Sequence, residues 1–136
     1  MNTRKWISSF VAAFIVYEAL NYLIHTVILI KSYAATISLW RPDMNHKMWI
    51  LWLSDLARMA LFVYIFTKGY EKKGWIEGLR YGLWMGLFAS ILMGFGAYVT
   101  MPIPFSLAML WFVFGTLQLM CCGVSVALVA KPAKKK

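Results

Sequence analysis

Residues 103–130 read IPFSLAMLWFVFGTLQLMCCGVSVALVA, a stretch without a single charged side chain. A helix needs about 20 mostly apolar residues to cross the hydrocarbon core of a bilayer, so this stretch is long enough to span a membrane. The whole composition agrees, because 62% of the 136 residues are hydrophobic, only 14% are charged and the mean hydropathy is +0.67. Soluble domains average about 45–50% apolar and about 25% charged residues. The chain is therefore predicted to be an integral membrane protein.

Three further stretches of spanning length precede this one, at residues 6–30, 48–67 and 79–99. Backbone groups in lipid must be hydrogen-bonded within the structure, which permits only helices or closed barrels. No stretch has the residue alternation of a barrel strand. The connections between the stretches are too short for a separate soluble domain. The sequence therefore predicts an all-α fold, a polytopic bundle of four transmembrane helices in which residues 1–136 form one domain.

The positive charges indicate how the four helices lie in the membrane. An even number of spans places both termini on one side, and the other side carries only Lys31, Arg41 and Lys47. Because basic residues concentrate on the cytoplasmic side, we expect both termini in the cytoplasm. The formal net charge of +9 does not indicate nucleic-acid binding, since the cations flank helix ends, where they contact anionic lipid headgroups. The cations on the side of the termini are Arg4, Lys5, Lys68, Lys72, Lys73, Arg80, Lys131, Lys134, Lys135 and Lys136.

The charged, amide and imidazole side chains inside the first two predicted helices are Glu18, Asn21, His25, Asp55 and Arg58. An ionisable group at the bilayer centre costs roughly 2.5–3.5 kcal/mol on insertion scales, so it needs a partner. At the angular spacing of an α-helix, Glu18, Asn21 and His25 share one face. Counted inward from the side opposite the termini, Glu18 and Arg58 lie at nearly equal depth, and so do Asn21 and Asp55. The sequence predicts these two pairs, with His25 within reach of Asp55 or of the following loop.

Two interpretations of these polar side chains remain open. They can simply hold the first helix against the second, because burying opposite charges together costs less than burying either alone. Alternatively they form a proton or ion path, to which a carboxylate–histidine arrangement that titrates near neutral pH is suited. A haem or metal held by His25 and His46 is a weaker alternative, since no recognised metal-ligand spacing is present. We therefore predict no cofactor and no metal site.

Small residues recur at every fourth position of the third predicted helix, a pattern that lets two helix backbones approach closely. The connection to the fourth helix is only residues 100–102, so the third and fourth helices are predicted to be antiparallel neighbours. Gly115, Gly123 and Ala127 offer a matching surface on the fourth helix. The pattern predicts close packing inside the chain or, alternatively, the interface of a homo-oligomer or a larger membrane complex. The residues of this glycine ladder are Gly78, Gly82, Gly86, Ser90 and Gly94.

Short strings at residues 39–42 (LWRP), 68–71 (KGYE) and 77–82 (EGLRYG) accompany the four-helix layout. With that layout, the chain resembles the small four-helix inner-membrane proteins of unknown function that are common in bacteria. The resemblance implies a multi-pass bundle in a bacterial inner membrane and supplies no activity. No nucleophile elbow, phosphate-binding loop or zinc-protease motif is present in the sequence. We therefore expect a non-enzymatic scaffold, accessory subunit or oligomer, with a small proton- or ion-coupled transporter or channel as the alternative.

Overall fold

Four long helical spans make up most of the structure, a computed structural model that describes residues 2–131. Each span has 26 residues and is long and apolar enough to cross a membrane, which indicates a multi-pass membrane protein. The predicted all-α four-helix bundle is confirmed, and residues 2–131 contain no strand. In chain order the elements are α1 (Thr3–Tyr22), a π-helical segment (Leu23–Ile28), α2 (Ile30–Ala35), a 3-10 turn (Ile37–Leu39), α3 (Met44–Gly69), α4 (Trp75–Ile91), a second π-helical segment (Leu92–Gly96), α5 (Ala97–Thr100) and α6 (Phe105–Ala130).

Local backbone chemistry places several helix ends a few residues from their predicted positions. Asn2 caps α1, its side-chain oxygen accepting the backbone N–H of Lys5 at 2.9 Å, so the first helix begins at Thr3 rather than at residue 6. Gly74 has a φ of 82°, in the left-handed region that favours glycine, and α4 begins directly after it rather than at residue 79. Pro104, which has no N–H to donate, directly precedes α6.

Helix α6 packs along both α4 and α1, and α3 packs against α1. Helix α3 also reaches α4 through Tyr81, whose hydroxyl donates a hydrogen bond to the carbonyl oxygen of Phe62 at 2.5 Å. The ring of Tyr81 lies 4.7 Å from that of Phe62 and 5.2 Å from that of Phe66, measured between centroids. The order around the bundle is therefore α3, α1, α6 and α4.

The glycine ladder forms the contact between α4 and α6. Gly78 lies against Gly123 and Ala127, and Gly82 lies against the backbone of α6 one turn away. A Cβ atom on Gly94 would lie 2.6 Å from the carbonyl oxygen of Ala108, closer than Cβ atoms come to non-bonded neighbours in proteins. All five ladder residues are buried. The ladder therefore packs inside the chain, and α6 covers the face that a second chain would need.

The two ends of the bundle differ in what they contain. At one end, the Nζ atom of Lys5 donates to the carbonyl oxygens of Ala130 at 3.2 Å and Lys131 at 2.8 Å, which joins the beginning of α1 to the end of α6. We call this the terminal end. The opposite end, formed by residues 29–43 and 101–104, is the distal end. Because the helices are antiparallel, α3 begins at the distal end and α4 begins at the terminal end.

The distal half of α3 lies outside the packed core. This helix begins at Met44, earlier than the predicted residue 48. An exposed ion pair at 2.5 Å joins Asp43, which precedes the helix, to Lys47 in its first turn. Every residue from 44 to 54 is exposed except Lys47 and Met48, which are partly exposed. The first buried side chain of α3 is that of Asp55. We call residues 44–54 the exposed segment of α3.

Candidate functional site

Arg58 and Asp55 form an ion pair in the middle part of α3. The Nη2 atom of Arg58 donates to the Oδ1 atom of Asp55 and to the hydroxyl oxygen of Tyr17 on α1. The guanidinium carbon lies 4.6 Å from the centroid of the Tyr17 ring, within the range of a cation–π contact. Only 9% of the Asp55 side chain is exposed, whereas 40% of the Arg58 side chain is exposed. The pair joins α3 to α1 and leaves part of the Arg58 side chain uncovered.

Glu18 has no hydrogen-bond or ion-pair partner among the residues that the structure describes, although its Oε1 atom is buried. Arg58 pairs with Asp55 and Tyr17 rather than with Glu18, which corrects the predicted pair. Tyr17 and Glu18 are adjacent, so Arg58 does lie near the depth of Glu18. Adjacent residues of a helix point in directions about 100° apart, and it is Tyr17 that faces Arg58. We call Tyr17, Glu18, Asp55 and Arg58 the midspan cluster.

Asn21 is partly exposed and makes no hydrogen bond to Asp55 within residues 2–131, so the second predicted pair is also absent there. The buried polar contact to this part of α1 comes from α6. There, the Nε2 atom of Gln118 donates to the carbonyl oxygen of Tyr17 at 2.9 Å. Neither Gln118 nor Tyr17 was a predicted site residue. A lone amide in an otherwise apolar helix is the signal that could have identified Gln118, because such side chains bond between membrane helices.

Of the two predicted partners of His25, the structure shows the loop that follows the first span and not Asp55. The Nδ1 atom of His25 lies 2.5 Å from the hydroxyl oxygen of Tyr33 in α2. The reason is the π-helical segment Leu23–Ile28, which contains His25. A π-helix bonds residue i to residue i+5 and holds more residues per turn than an α-helix. The α-helical count that placed His25 on the face of Glu18 therefore does not apply beyond Tyr22.

The hydroxyl of Tyr33 connects two side chains that are far apart in the sequence. The Nε1 atom of Trp111 donates to the Tyr33 oxygen at 2.8 Å, and an indole can only donate. Burial raises the pKa of the Tyr33 phenol above its usual value, while the Trp111 hydrogen bond acts in the opposite direction. Tyr33 therefore keeps its proton at neutral pH and can donate it to His25. In the arrangement that uses every donor, His25 accepts at Nδ1 and carries its own proton on Nε2.

The rings around Tyr33 form one cluster at the distal end. The Tyr33 ring lies 5.9 Å from the His25 ring, with an angle of 16° between the planes, and 5.5 Å from Trp40 in an edge-on arrangement. Trp40 in turn lies 6.1 Å from Trp111 and donates from Nε1 to the Oγ1 atom of Thr36 at 3.2 Å. This distal aromatic cluster (His25, Tyr33, Trp40 and Trp111) attaches the segment after the first span to α6. The four rings pack directly against one another.

Potential metal ligands are dispersed. Within residues 2–131, no three His, Cys, Asp or Glu side chains lie close enough together to hold a metal ion. His46 is exposed near the start of α3, while His25 is bonded to Tyr33. Cys122 is fully buried, with its Sγ atom 3.7 Å from the carbonyl oxygen of Ala13, and Cys121 is exposed. Both cysteines are free thiols.

The midspan cluster is the candidate functional site, because it contains charged groups that residues 2–131 leave incompletely paired. It holds two carboxyl groups and one guanidinium, so its formal charge is −1 with Glu18 ionised and 0 with Glu18 protonated. The cluster can therefore take up a proton or a cation at Glu18, or accept a hydrogen bond from another molecule. In comparisons with known proteins, no family model, curated protein or solved structure matches this chain.

Proposed function

We propose that this chain is a non-enzymatic integral membrane protein that acts by association, as a scaffold, accessory subunit or small oligomer. The observation that supports this function most strongly is the exposed segment of α3, which its own bundle leaves uncovered. The charge distribution favours both termini in the cytoplasm, and the resemblance to small bacterial four-helix proteins favours an inner membrane. The lipid bilayer and other membrane chains are then its partners.

The chemistry at the edge of the exposed segment supports an association surface there. Helices in lipid associate through close packing and through hydrogen bonds between polar side chains, because apolar contact alone is equally good with lipid. The segment ends beside Asp55, and the Arg58 side chain one turn further is 40% exposed. An acyl chain offers no hydrogen-bond acceptor to a guanidinium. A protein helix lying along the segment can cover the apolar residues and supply such a group.

Site-specific photo-crosslinking in bacterial membranes tests this function. A photoreactive residue replaces Trp52, which is 59% exposed on α3, or Trp84, which is 67% exposed on α4 and serves as the matched lipid-facing control. We expect a crosslinked protein product of discrete size at position 52 and none at position 84. Products at neither position, or equal products at both, would contradict association through α3.

A second candidate function is that of a small proton- or ion-coupled transporter or channel, and Glu18 is the observation that favours it. Its carboxyl group lies within a membrane span, has a buried oxygen, and lacks a partner among the described side chains. Ionisable groups in this position commonly mark proton and ion pathways. Binding and release of a proton at Glu18 would change the charge of the midspan cluster without breaking the Asp55–Arg58 pair.

Flux measurements on the reconstituted protein separate this second candidate from the first. Vesicles loaded with a pH-sensitive dye are given a proton, sodium or potassium gradient across the membrane. A transporter is expected to conduct an ion, to lose at least about nine-tenths of the flux in Glu18→Gln, and to keep it in Glu71→Gln. Glu71 is the control because it is exposed and lies outside the spans. If vesicles that contain the protein show no more ion flux than empty vesicles under any gradient, the result counts against transport.

A further inference from the structure

We infer that a second copy of this chain docks against the α1–α3 side, where Glu18 of each copy pairs with Arg58 of the partner subunit. This inference rests on the proposed function and names the partner and the site. Glu18 and Arg58 lie at a similar depth and do not pair with each other within one chain. A surface that carries both an unused acceptor and an unused donor is self-complementary, as a two-fold interface requires.

The unused donors belong to Arg58. A guanidinium has five N–H groups on three nitrogen atoms, and only Nη2 makes hydrogen bonds among residues 2–131. These bonds go to Asp55 and Tyr17, and 40% of the side chain remains exposed. The other edge of the guanidinium is therefore available to a carboxylate, with which arginine forms its strongest pairs.

The unused acceptor is the Oε2 atom of Glu18, which has no partner among residues 2–131, whereas the Oε1 atom is buried within its own chain. Glu18 is one residue from Tyr17, the α1 side chain that Arg58 contacts, so Glu18 and Arg58 lie at a similar depth. A two-fold axis along the membrane normal leaves the depth of every residue unchanged. The partner's Arg58 therefore lies at the same membrane depth as Glu18 and can donate the hydrogen bond that Glu18 lacks. In this pairing each copy's formal charge of −1 is unchanged, but every ionised group of the midspan cluster has a counter-ion.

Other features of the fold favour this face over the remaining surfaces. The glycine ladder is already covered by α6, so it is closed to a second chain. The exposed segment of α3 adjoins the midspan cluster and carries two large aromatic side chains, Trp49 at 57% and Trp52 at 59% exposure. Aromatic side chains contribute strongly to packing at interfaces. Lipid could cover these rings, but it could not supply the hydrogen bonds that Glu18 and Arg58 lack.

The experiment measures self-association of the full chain in lipid nanodiscs and in vesicles, by mass and by energy transfer between differently labelled copies. We expect a dimer that weakens at least about tenfold in Glu18→Ala. Glu18 makes no hydrogen bond within its own chain among the described residues, so this variant is expected to fold. Trp52→Ala should also weaken the dimer, whereas the matched variant Trp84→Ala should leave it unchanged.

A charge exchange shows whether the pair forms between copies. Glu18→Arg alone and Arg58→Glu alone should each dimerise poorly, because like charges then meet across the interface. A mixture of the two variants should form the mixed dimer, because each copy then brings the charge that the other needs. If Arg58→Glu fails to fold, the dissociation in Glu18→Ala and its absence in Trp84→Ala still decide the matter.

Three results would overturn the inference: a monomer at all protein densities, a dimer indifferent to Glu18→Ala, or a mixture no better than the single variants. Its failure is distinguishable from failure of the proposed function. A monomer that still crosslinks to a different protein at position 52 leaves the proposed function intact. A monomer without crosslinks at that position removes both.

Discussion

At the scale of single residues, the oxygen atom of Tyr33 holds the distal end together. It accepts a hydrogen bond from Trp111 of α6 and lies 2.5 Å from His25 of the first span. One atom thereby joins α2, the first span and the fourth. A buried donor that loses its only acceptor costs about 1–3 kcal/mol, more than the hydrogen bond itself contributes.

Tyr33→Phe is therefore expected to reduce the free energy of unfolding by about 1–3 kcal/mol, since it leaves the Trp111 N–H without its acceptor. The measurement is unfolding in mixed micelles followed by tryptophan fluorescence. Tyr98→Phe is the control, because Tyr98 is 45% exposed and its ring contact with Phe105 survives the change. Equal effects of the two substitutions would show that Tyr33 contributes no more than an exposed tyrosine does.

For the Asp55–Arg58 pair, we expect that replacing both residues lowers the free energy of unfolding less than replacing Arg58 alone. Arg58→Met leaves Asp55 buried without its counter-charge, and breaking such a pair costs about 3 kcal/mol or more. Arg58→Met combined with Asp55→Leu removes both charges, so most of the lost stability should return. The double-mutant cycle is measured in detergent at low protein density. Simple addition of the two single effects would mean that the pair is not coupled.

At the scale of helices and turns, the glycine ladder sets how closely α4 approaches α6. A Cβ atom at Gly82 would lie 2.6 Å from the Cα atom of Met120, and one at Gly86 would lie 2.9 Å from the Cα atom of Thr116. These neighbours are backbone atoms, which can yield only if the two helices move apart. Alanine has the better helix propensity, by about 1 kcal/mol, but this gain is smaller than the cost of separating the helices.

We therefore expect Gly82→Ala to destabilise the bundle by about 1–3 kcal/mol, the usual cost of overpacking, and Gly86→Ala by less. Gly69→Ala is the matched control, since nothing lies within 4 Å of its added Cβ atom. Unfolding in mixed micelles ranks the three variants. A ranking in which Gly69→Ala is the most damaging would contradict the packing described for the ladder.

The turn between α3 and α4 depends on one carboxylate. Glu77 accepts the backbone N–H of Glu71 at 2.5 Å and that of Lys73 at 2.7 Å, and it lies in the first turn of α4, where a negative charge is favourable. Glu77→Ala should therefore speed hydrogen exchange at the amides of Glu71 and Lys73. Glu71→Ala is the control, because the Glu71 side chain pairs only with exposed Lys73 among the described residues. If hydrogen exchange at these two amides is unchanged in Glu77→Ala, the Glu77 carboxylate does not hold the turn.

At the scale of the whole molecule, the fold places residues 70–74 at the terminal end and residues 29–43 at the distal end. These two groups of residues therefore lie on opposite sides of a membrane that the four spans cross. The charge asymmetry then favours the terminal end in the cytoplasm, because basic loops are retained there.

Reporter insertions test this orientation. Alkaline phosphatase, which is active only outside the cytoplasm, is expected to be active when inserted after Ser38 and inactive when inserted after Lys72. A fluorescent protein that folds only in the cytoplasm should give the reverse. The opposite pattern with both reporters would invert the orientation while leaving the fold unchanged.

Much of the bundle was predictable because it depends on quantities that run along the chain. Span length and hydropathy predicted four helices, and local features account for the earlier beginnings of α1, after the Asn2 cap, and of α4, after Gly74. The four-residue spacing from Gly78 to Gly94, with Gly115, Gly123 and Ala127 opposite, predicted the contact that α4 makes with α6. Helix backbones in close contact require small residues at a regular spacing, which is visible in the sequence. No such spacing in the sequence identifies the partner of a polar side chain.

The fold class, the approximate spans, the neighbouring third and fourth helices and the similar depth of Glu18 and Arg58 all follow from the order of residues along the chain. The pairing of the polar side chains appears only in the folded bundle: Arg58 with Asp55 and Tyr17, His25 with Tyr33, and Glu18 with no group among the described residues. The physical reason is that depth follows from counting, whereas pairing depends on the rotation of each helix about its axis. One π-helical segment, Leu23–Ile28, changes that rotation, and hydropathy carries no sign of it.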